Sequence, residues 1–343
     1  MKKIIWIVLI ILALGALVAA WIFLGSATGF KEGKQYLYIG SNAATKKAVL
    51  DSLEKNNLVT NINAFEFLAN RMNYWSGIKP GRYEVTKGMS LLTLVRKLRN
   101  GQQTPVNLVI TKYRLIEDLA NTAGNKFEFD ADAMETFLNS ADSLKDFGVT
   151  PETAMWVVLP DTYQYFWNTT PRKVYTKLHN ESQKFWTDER KRKASALGLT
   201  PLQVHIIASI IEEETTNHAE KDTIASVYIN RYKIGMPLQA DPTVKYAVKD
   251  FAAKRVAGEM LNSESPYNTY RVKGLPPGPI CTPTKLTIDK VLNAANTNYL
   301  YFVAKPDIRG HLFSATYEEH LRKRADYLAA DKLRREKQNA NAK

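Results

Sequence analysis

An α+β chain in three parts is predicted: an apolar N-terminal helix, a small mixed unit and a larger, mainly helical unit. Three observations predict it. An uninterrupted apolar run fills Ile4 to Leu24, strand-like and helix-like segments alternate from Lys34 to Ile110, and apolar residues beyond Thr111 recur mostly at helical spacing. The corresponding boundaries are 1–30, 31–110 and 111–343. With 343 residues, 45% of them hydrophobic, the chain has material for two cores and does not read as disordered.

The first run is long enough, at about 1.5 Å per helical residue, to cross roughly 30 Å of hydrocarbon. Val18-Ala19-Ala20 resembles a signal-peptidase site, but the apolar stretch continues through Trp21-Ile22-Phe23-Leu24, too long for a signal core. An uncleaved anchor is therefore expected, with membrane lipid as a partner. Lys2 and Lys3 predict a cytoplasmic N-terminus, which puts everything after Gly25 outside.

In the second part the patterning predicts strands at Tyr36 to Ile39, Arg82 to Val85 and Pro105 to Ile110, with helices at Thr45 to Lys55, Asn63 to Met72 and Ser90 to Leu98. Val49 and Leu53, and Leu91, Leu94, Val95 and Leu98, follow three-and-four spacing, and Gly101 supplies a C-terminal cap. No titratable cluster stands out here.

The third part opens with helices at Leu115 to Leu119 and Ala131 to Leu138. The aromatic turn Pro160 to Asn168 could present ring faces to a sugar, but composition favours an aromatic core corner. One long amphipathic helix is expected from Arg172 to about Leu197. Thr200, Pro201 and Gln203 then form the start signal of a helix running to Glu214. Further helices are predicted at Ala219 to Tyr232 and, with Asp241 as N-cap, after Asp241. The loops Tyr267 to Tyr270 and Gly274 to Ile280 have the character of cleft-lining segments. A hairpin of Tyr299 to Ala304 and His311 to Ser314 follows, and Thr316 to Glu319 opens the last helix as a capping box. That helix is expected to give way to a solvated basic run after Leu328.

The net charge is +13, but Lys and Arg are scattered and no zinc-finger or RNA-recognition signature accompanies them, so nucleic acid is not an expected partner. A single Cys281 rules out an intramolecular disulfide and a cysteine cluster, and the five histidines show no ligand spacing. Neither metal nor cofactor is expected.

The chemical signal is Glu212-Glu213-Glu214, closing the helix that begins at Pro201. Counting back three, four and seven residues, Glu214 stacks on Ile211, Ile210 and Ile207, whereas Glu212 stacks on Ser209 and Ala208. A carboxyl against apolar side chains loses hydration of its charged form, so its pKa rises and it can hold a proton to donate. Acids at a helix C-terminus oppose the macrodipole, so helix stability does not explain them.

The segments Ala208 to Thr215, Ala225 to Arg231, Ile234 to Val244, Tyr267 to Tyr270, Gly274 to Gly278, Tyr299 to Ala304 and Pro160 to Thr162 together resemble the endolytic murein transglycosylases, the MltG or YceG-like family. The resemblance covers nearly the whole chain and implies a LysM-like subdomain at 31–110 and a YceG-like catalytic domain at 111–343. It implies Glu214 as catalytic residue, the second acid of the family's Glu-Lys-Glu-Thr motif. Here Glu213 stands where the family has Lys. Asn230, Gln239, Asp241, Tyr267, Asn268 and Thr269 become candidates for substrate binding, and peptidoglycan glycan strands the expected partner, with a peptidoglycan synthase complex beside it. The reaction implied is cleavage of the β-1,4 bond between N-acetylmuramic acid and N-acetylglucosamine within nascent strands, leaving a 1,6-anhydro end. It needs one carboxyl, first as acid and then as base, whereas hydrolysis needs two. With Asp241 read as a cap, the lyase is favoured over a muramidase; a non-catalytic murein-binding scaffold is the further alternative.

Overall fold

Lys2–Leu24 forms helix α1, long and apolar enough to cross a membrane, and none of its side chains is buried. In this computed structural model residues 2–31 and 33–341 are described, side chains of 337–341 excepted. Met1 of the N-terminal tip and residues 342 and 343 of the basic tail lie outside the described residues.

By its contacts the chain divides into two units, one comprising Met1–Leu108, Thr122–Asp130 and Tyr163–Pro171, the other Val109–Asn121, Ala131–Thr162 and Arg172–Lys343. In the first, β1 (Lys34–Ile39) pairs antiparallel with β2 (Gly81–Thr86), Lys34 opposite Thr86 and Ile39 opposite Gly81. Helices α2 (Lys46–Lys55), α3 (Ile62–Arg71) and α4 (Leu91–Asn100) begin where Thr45, Asn61 and Ser90 accept backbone N–H groups, and α4 stops where Gly101 turns left-handed. Val49, Leu53, Leu91, Leu94, Val95 and Leu98 are buried in its core, as their spacing predicts.

The segments at 122–130 and 163–171 join this unit, although the sequence boundary at 110 left them in the other. The cause is specific bonding. The Glu128 carboxylate accepts the Ser41 N–H and hydroxyl, each at 2.5 Å, and Glu128 N–H donates to the Trp167 carbonyl at 2.9 Å. The Trp167 ring meets Tyr38 edge-on at 5.0 Å.

In chain order β3 (Val106–Ile110), α5 (Ile116–Gly124), α6 (Ala131–Asn139), α7 (Ala141–Leu144) and β4 (Asp161–Tyr165) follow, with β3 and β4 forming a two-stranded sheet. The aromatic stretch expected as a turn is thus partly strand, with Tyr163 and Tyr165 buried as a core corner requires. The single helix expected from Arg172 to Leu197 is two, α8 (Pro171–Phe185) and α9 (Asp188–Ala196). Thr187 breaks it, because its side chain accepts the Arg190 N–H and restarts the helix.

The second unit is built around α10 (Pro201–Glu214), which begins with the capping box between Thr200 and Gln203. Every residue from Val204 to Ile211 is buried, so α10 is a central helix rather than one with a single apolar stripe. It packs against α11 (Lys221–Lys233), α12 (Asp241–Ala247) and α13 (Lys285–Leu292). The hairpin of β5 (Tyr301–Ala304) and β6 (His311–Ser314) pairs Ala304 with His311. Helix α14 (Tyr317–Asn341) follows and runs beyond Leu328, where a solvated run was expected. Its start is half a capping box: Thr316 accepts the Glu319 N–H, but the Glu319 carboxylate reaches Ala315 N–H.

Candidate functional site

The three acids ending α10 meet three different surroundings. Glu212 accepts from Lys221 Nζ at 3.2 Å, from Thr284 Oγ1 at 3.1 Å and from the Thr287 hydroxyl. Burial pushes its pKa up, but these partners outweigh burial and hold it below the ordinary range. Glu213 forms a two-pronged pair with Arg114, Nε to Oε1 at 3.1 Å and a terminal nitrogen to Oε2 at 2.8 Å, and Lys112 lies 3.0 Å from Oε1. Again burial raises the pKa and the hydrogen bonds and charges of the two cations more than reverse it.

Glu214 has no such cation. Its one recorded hydrogen bond is a long one, 3.4 Å from the Tyr228 hydroxyl. Burial, and next the charge of Asp241, push its pKa up to about 7, against smaller opposing effects of the Tyr228 bond, Lys245 and Arg231. The end of α10 adds the unfavourable pole of a helix. At neutral pH this carboxyl is therefore divided between an acid that can give a proton and a base that can take one, as a single acid/base residue requires.

Glu214 stands at the junction of two concavities. One, of about 410 Å³, is lined by Arg231, Gln239, Asp241, Tyr270, Tyr301 and neighbouring side chains of β5 and α14. The other, of about 510 Å³, is lined by Lys112, Glu213, Thr215, Glu220, Arg309 and neighbours. Glu214, Ala304 and His311 belong to both.

The residues expected at the site separate into two groups. Gln239 and Asp241 line the Glu214 cleft, Gln239 on a left-handed backbone with φ 49°. Asn230, Asn268 and Thr269 are not among the residues lining either concavity, and each is bonded to loop backbone. Asn230 gives its amide hydrogens to the Thr297 and Tyr299 carbonyls at 2.9 and 3.0 Å. Asn268 gives its own to Leu261 and Ser263 carbonyls, and Thr269 Oγ1 accepts Ala240 N–H at 3.0 Å. Their work is to hold loops in place. Tyr267 packs on Tyr246 at 4.7 Å between ring centres, away from the residues lining the cleft. Likewise Gly278 is pressed against the Glu152 carbonyl, where an added Cβ would stand at 1.9 Å, so its loop is a packing element.

Asp241 requires a correction. The N-cap of α12 is Ala240, and Asp241 is the first helical residue, so its carboxylate is not used in capping. It accepts instead from the Tyr270 hydroxyl at 2.6 Å. The Glu214 cleft therefore holds a second carboxylate that capping does not occupy.

Tyr270 lines the cleft, as expected of its loop, whereas sequence reasoning did not place Tyr228, Tyr301 or His311 there. Tyr228 and Arg231 carried a signal, being three apart on the helix that follows the acid. Arg231 is buried, donates to the Leu300 and Leu238 carbonyls at 2.6 Å each, and lies 5.4 Å from the Tyr301 ring centre. Nothing in the spacing of Tyr301 and His311 links their hairpin to α10.

Residues 37–326 match the model of the YceG-like family. Over 310 residues the chain is 28% identical to a Bacillus subtilis protein named endolytic murein transglycosylase, covering 84% of both chains. It is also 28% identical over 332 residues to the protein of that name from Streptococcus pneumoniae D39, matching 86% of this chain but 59% of that longer one. A crystal structure of a YceG-like protein from Listeria monocytogenes superposes with a TM-score of 0.54 at 27% identity, covering 84% of this chain and 98% of the other.

Proposed function

This chain belongs to the YceG-like family, and from that membership and the Glu214 cleft we propose that it is a membrane-anchored endolytic lytic transglycosylase of peptidoglycan. The observation that carries the reading is the Glu214 carboxyl, raised to about 7 between two concavities. Protonated Glu214 gives its proton to the oxygen linking N-acetylmuramic acid to N-acetylglucosamine, and that C–O bond breaks. The muramoyl 6-hydroxyl closes onto C1, its proton returns to the Glu214 carboxylate, and a 1,6-anhydro end remains. Room on both sides of the acid suits cutting within a strand.

In this reading residues 31–110 act as a LysM-like glycan-holding subdomain and 111–343 as the catalytic domain. The exposed apolar surface of α1 supports a single-pass anchor in the cytoplasmic membrane, its N-terminus inside beside Lys2 and Lys3. Cutting is then confined to strands near the membrane, where nascent glycan is still held by its synthases, and the outcome is termination of elongation.

A second reading has an observation of its own. Asp241 lies in the cleft with Glu214 and raises its pKa, and two coupled carboxyls are what a muramidase uses. Mass spectrometry of fragments released from murein sacculi by the full-length protein decides. Anhydro ends, one water lighter, are expected; reducing ends would transfer the assignment to hydrolysis, and sacculus binding without release would leave a scaffold.

A further inference from the structure

His311 is held in a way that Glu214 chemistry does not account for. Its Nδ1 lies 2.9 Å from Glu220 Oε1, and its backbone N–H donates to Glu220 Oε2 at 3.0 Å. The Thr215 hydroxyl, on the residue after Glu214, donates to the same Glu220 Oε1 at 2.7 Å. A carboxylate can only accept, so Nδ1 carries the hydrogen, and in the neutral form of such a ring the lone pair lies on Nε2. Burial pushes the Glu220 pKa up, but the hydrogen bonds from Thr215 and His311 outweigh it and keep the carboxyl ionised.

The backbone is shaped for this pairing. Gly310 has φ 101°, and a Cβ there would stand 2.7 Å from Glu220 Oε2. A side chain at 310 would crowd that carboxylate and sit on a backbone that favours glycine. Phe302 meets the imidazole edge-on at 5.2 Å and limits its rotation. The ring so fixed is one of three residues common to the concavities that meet at Glu214.

We propose that His311 is a second proton-handling residue of the Glu214 cleft, its Nε2 taking the proton of the hydroxyl that attacks C1, with Glu220 and Thr215 as positioning residues. This rests on the glycan-cleaving reading. Glu214 gives its proton to the departing glycosidic oxygen as the C1–O bond breaks. The attacking hydroxyl, the sugar's own or a water's, forms the new C1–O bond and passes its proton to Nε2. The imidazolium returns that proton to the Glu214 carboxylate, and both groups regain their starting states.

The test measures fragment release from murein sacculi by the full-length protein in detergent, comparing wild type with His311→Ala, His311→Gln and Glu214→Gln. His311→Ala is expected to lose roughly 100-fold in turnover with little change in KM, and free imidazole to restore part of it. His311→Gln, which keeps a polar side chain should the alanine variant fold poorly, is expected to show a similar loss. Glu220→Ala is expected to shift the His311 nitrogen-15 signals toward the Nε2–H tautomer and to slow turnover. Turnover of either His311 variant near that of wild type, or a deficit that imidazole does not relieve, overturns the proposal. Release that persists in Glu214→Gln would instead remove the assigned acid, an outcome the His311 variants do not share.

Discussion

Glu213 and Glu214 are neighbours on the last turn of α10, yet their pKa values move in opposite directions. Both carboxyls lose water to the protein. Glu213 is compensated by Arg114 and Lys112, whereas Glu214 faces the like charge of Asp241. What separates an ordinary ion pair from a poised acid is the partner each reaches.

Glu214→Gln is expected to abolish fragment release from sacculi without loss of fold. The sign of its stability effect follows from the raised pKa. The folded state holds this proton more tightly than the unfolded chain, so wild-type stability falls as pH rises from about 4.5 to about 7 and is level above that. The Gln variant escapes this loss, so it should be more stable than wild type at pH 8 by about 3 kcal/mol and no different near pH 4. Denaturant melts at the two pH values check this.

For activity, the acid must be protonated when substrate binds. The alkaline limb of the pH–rate profile is expected near 7 and should follow Glu214. A limb well above pH 9 would point to a different acid.

Asp241→Asn separates the lyase from the hydrolase. It removes the charge that helps hold Glu214 protonated, so the lyase predicts retained cleavage with the alkaline limb moved to lower pH. If Asp241 is a second carboxylate of a muramidase, the same change should eliminate turnover.

Arg114→Ala leaves Glu213 largely buried with Lys112 alone. A loss of about 2 kcal/mol is expected at pH 7. Because the folded pKa of Glu213 is depressed, the pair stabilises above about pH 4.5, and its contribution fades as pH falls through that lowered value. The deficit of the variant should shrink accordingly in acid, measured by denaturant melts.

Deleting residues 2–24 should move the protein from the membrane fraction to the soluble one after carbonate extraction, since no side chain of α1 is buried by the rest of the chain. Retention in the membrane would require another anchoring surface.

Local physics left clear marks in the sequence. The caps of α2, α4 and α10, the core positions of α4 and the apolar length of α1 depend on contacts within a few residues, and periodicity records those. An apolar stripe singles out Glu214 in the sequence, whereas every α10 residue from Val204 to Ile211 is buried, so partners rather than a stripe set Glu214 apart from Glu212 and Glu213. Motif order carried the family, and with it the mixed helix and sheet architecture.

Tertiary structure decided what lies across the cleft. Glu213 finds Arg114, 99 residues away, and His311 finds Glu220, 91 residues away, through packing that no local spacing encodes. Asp241 reads as a cap because Asp before Pro is a common helix start, yet Ala240 takes that position, secured by Thr269, and the carboxylate is left to the site. The sequence by itself determined which helix ends in a displaced acid; which groups surround that acid was set only when distant segments packed together.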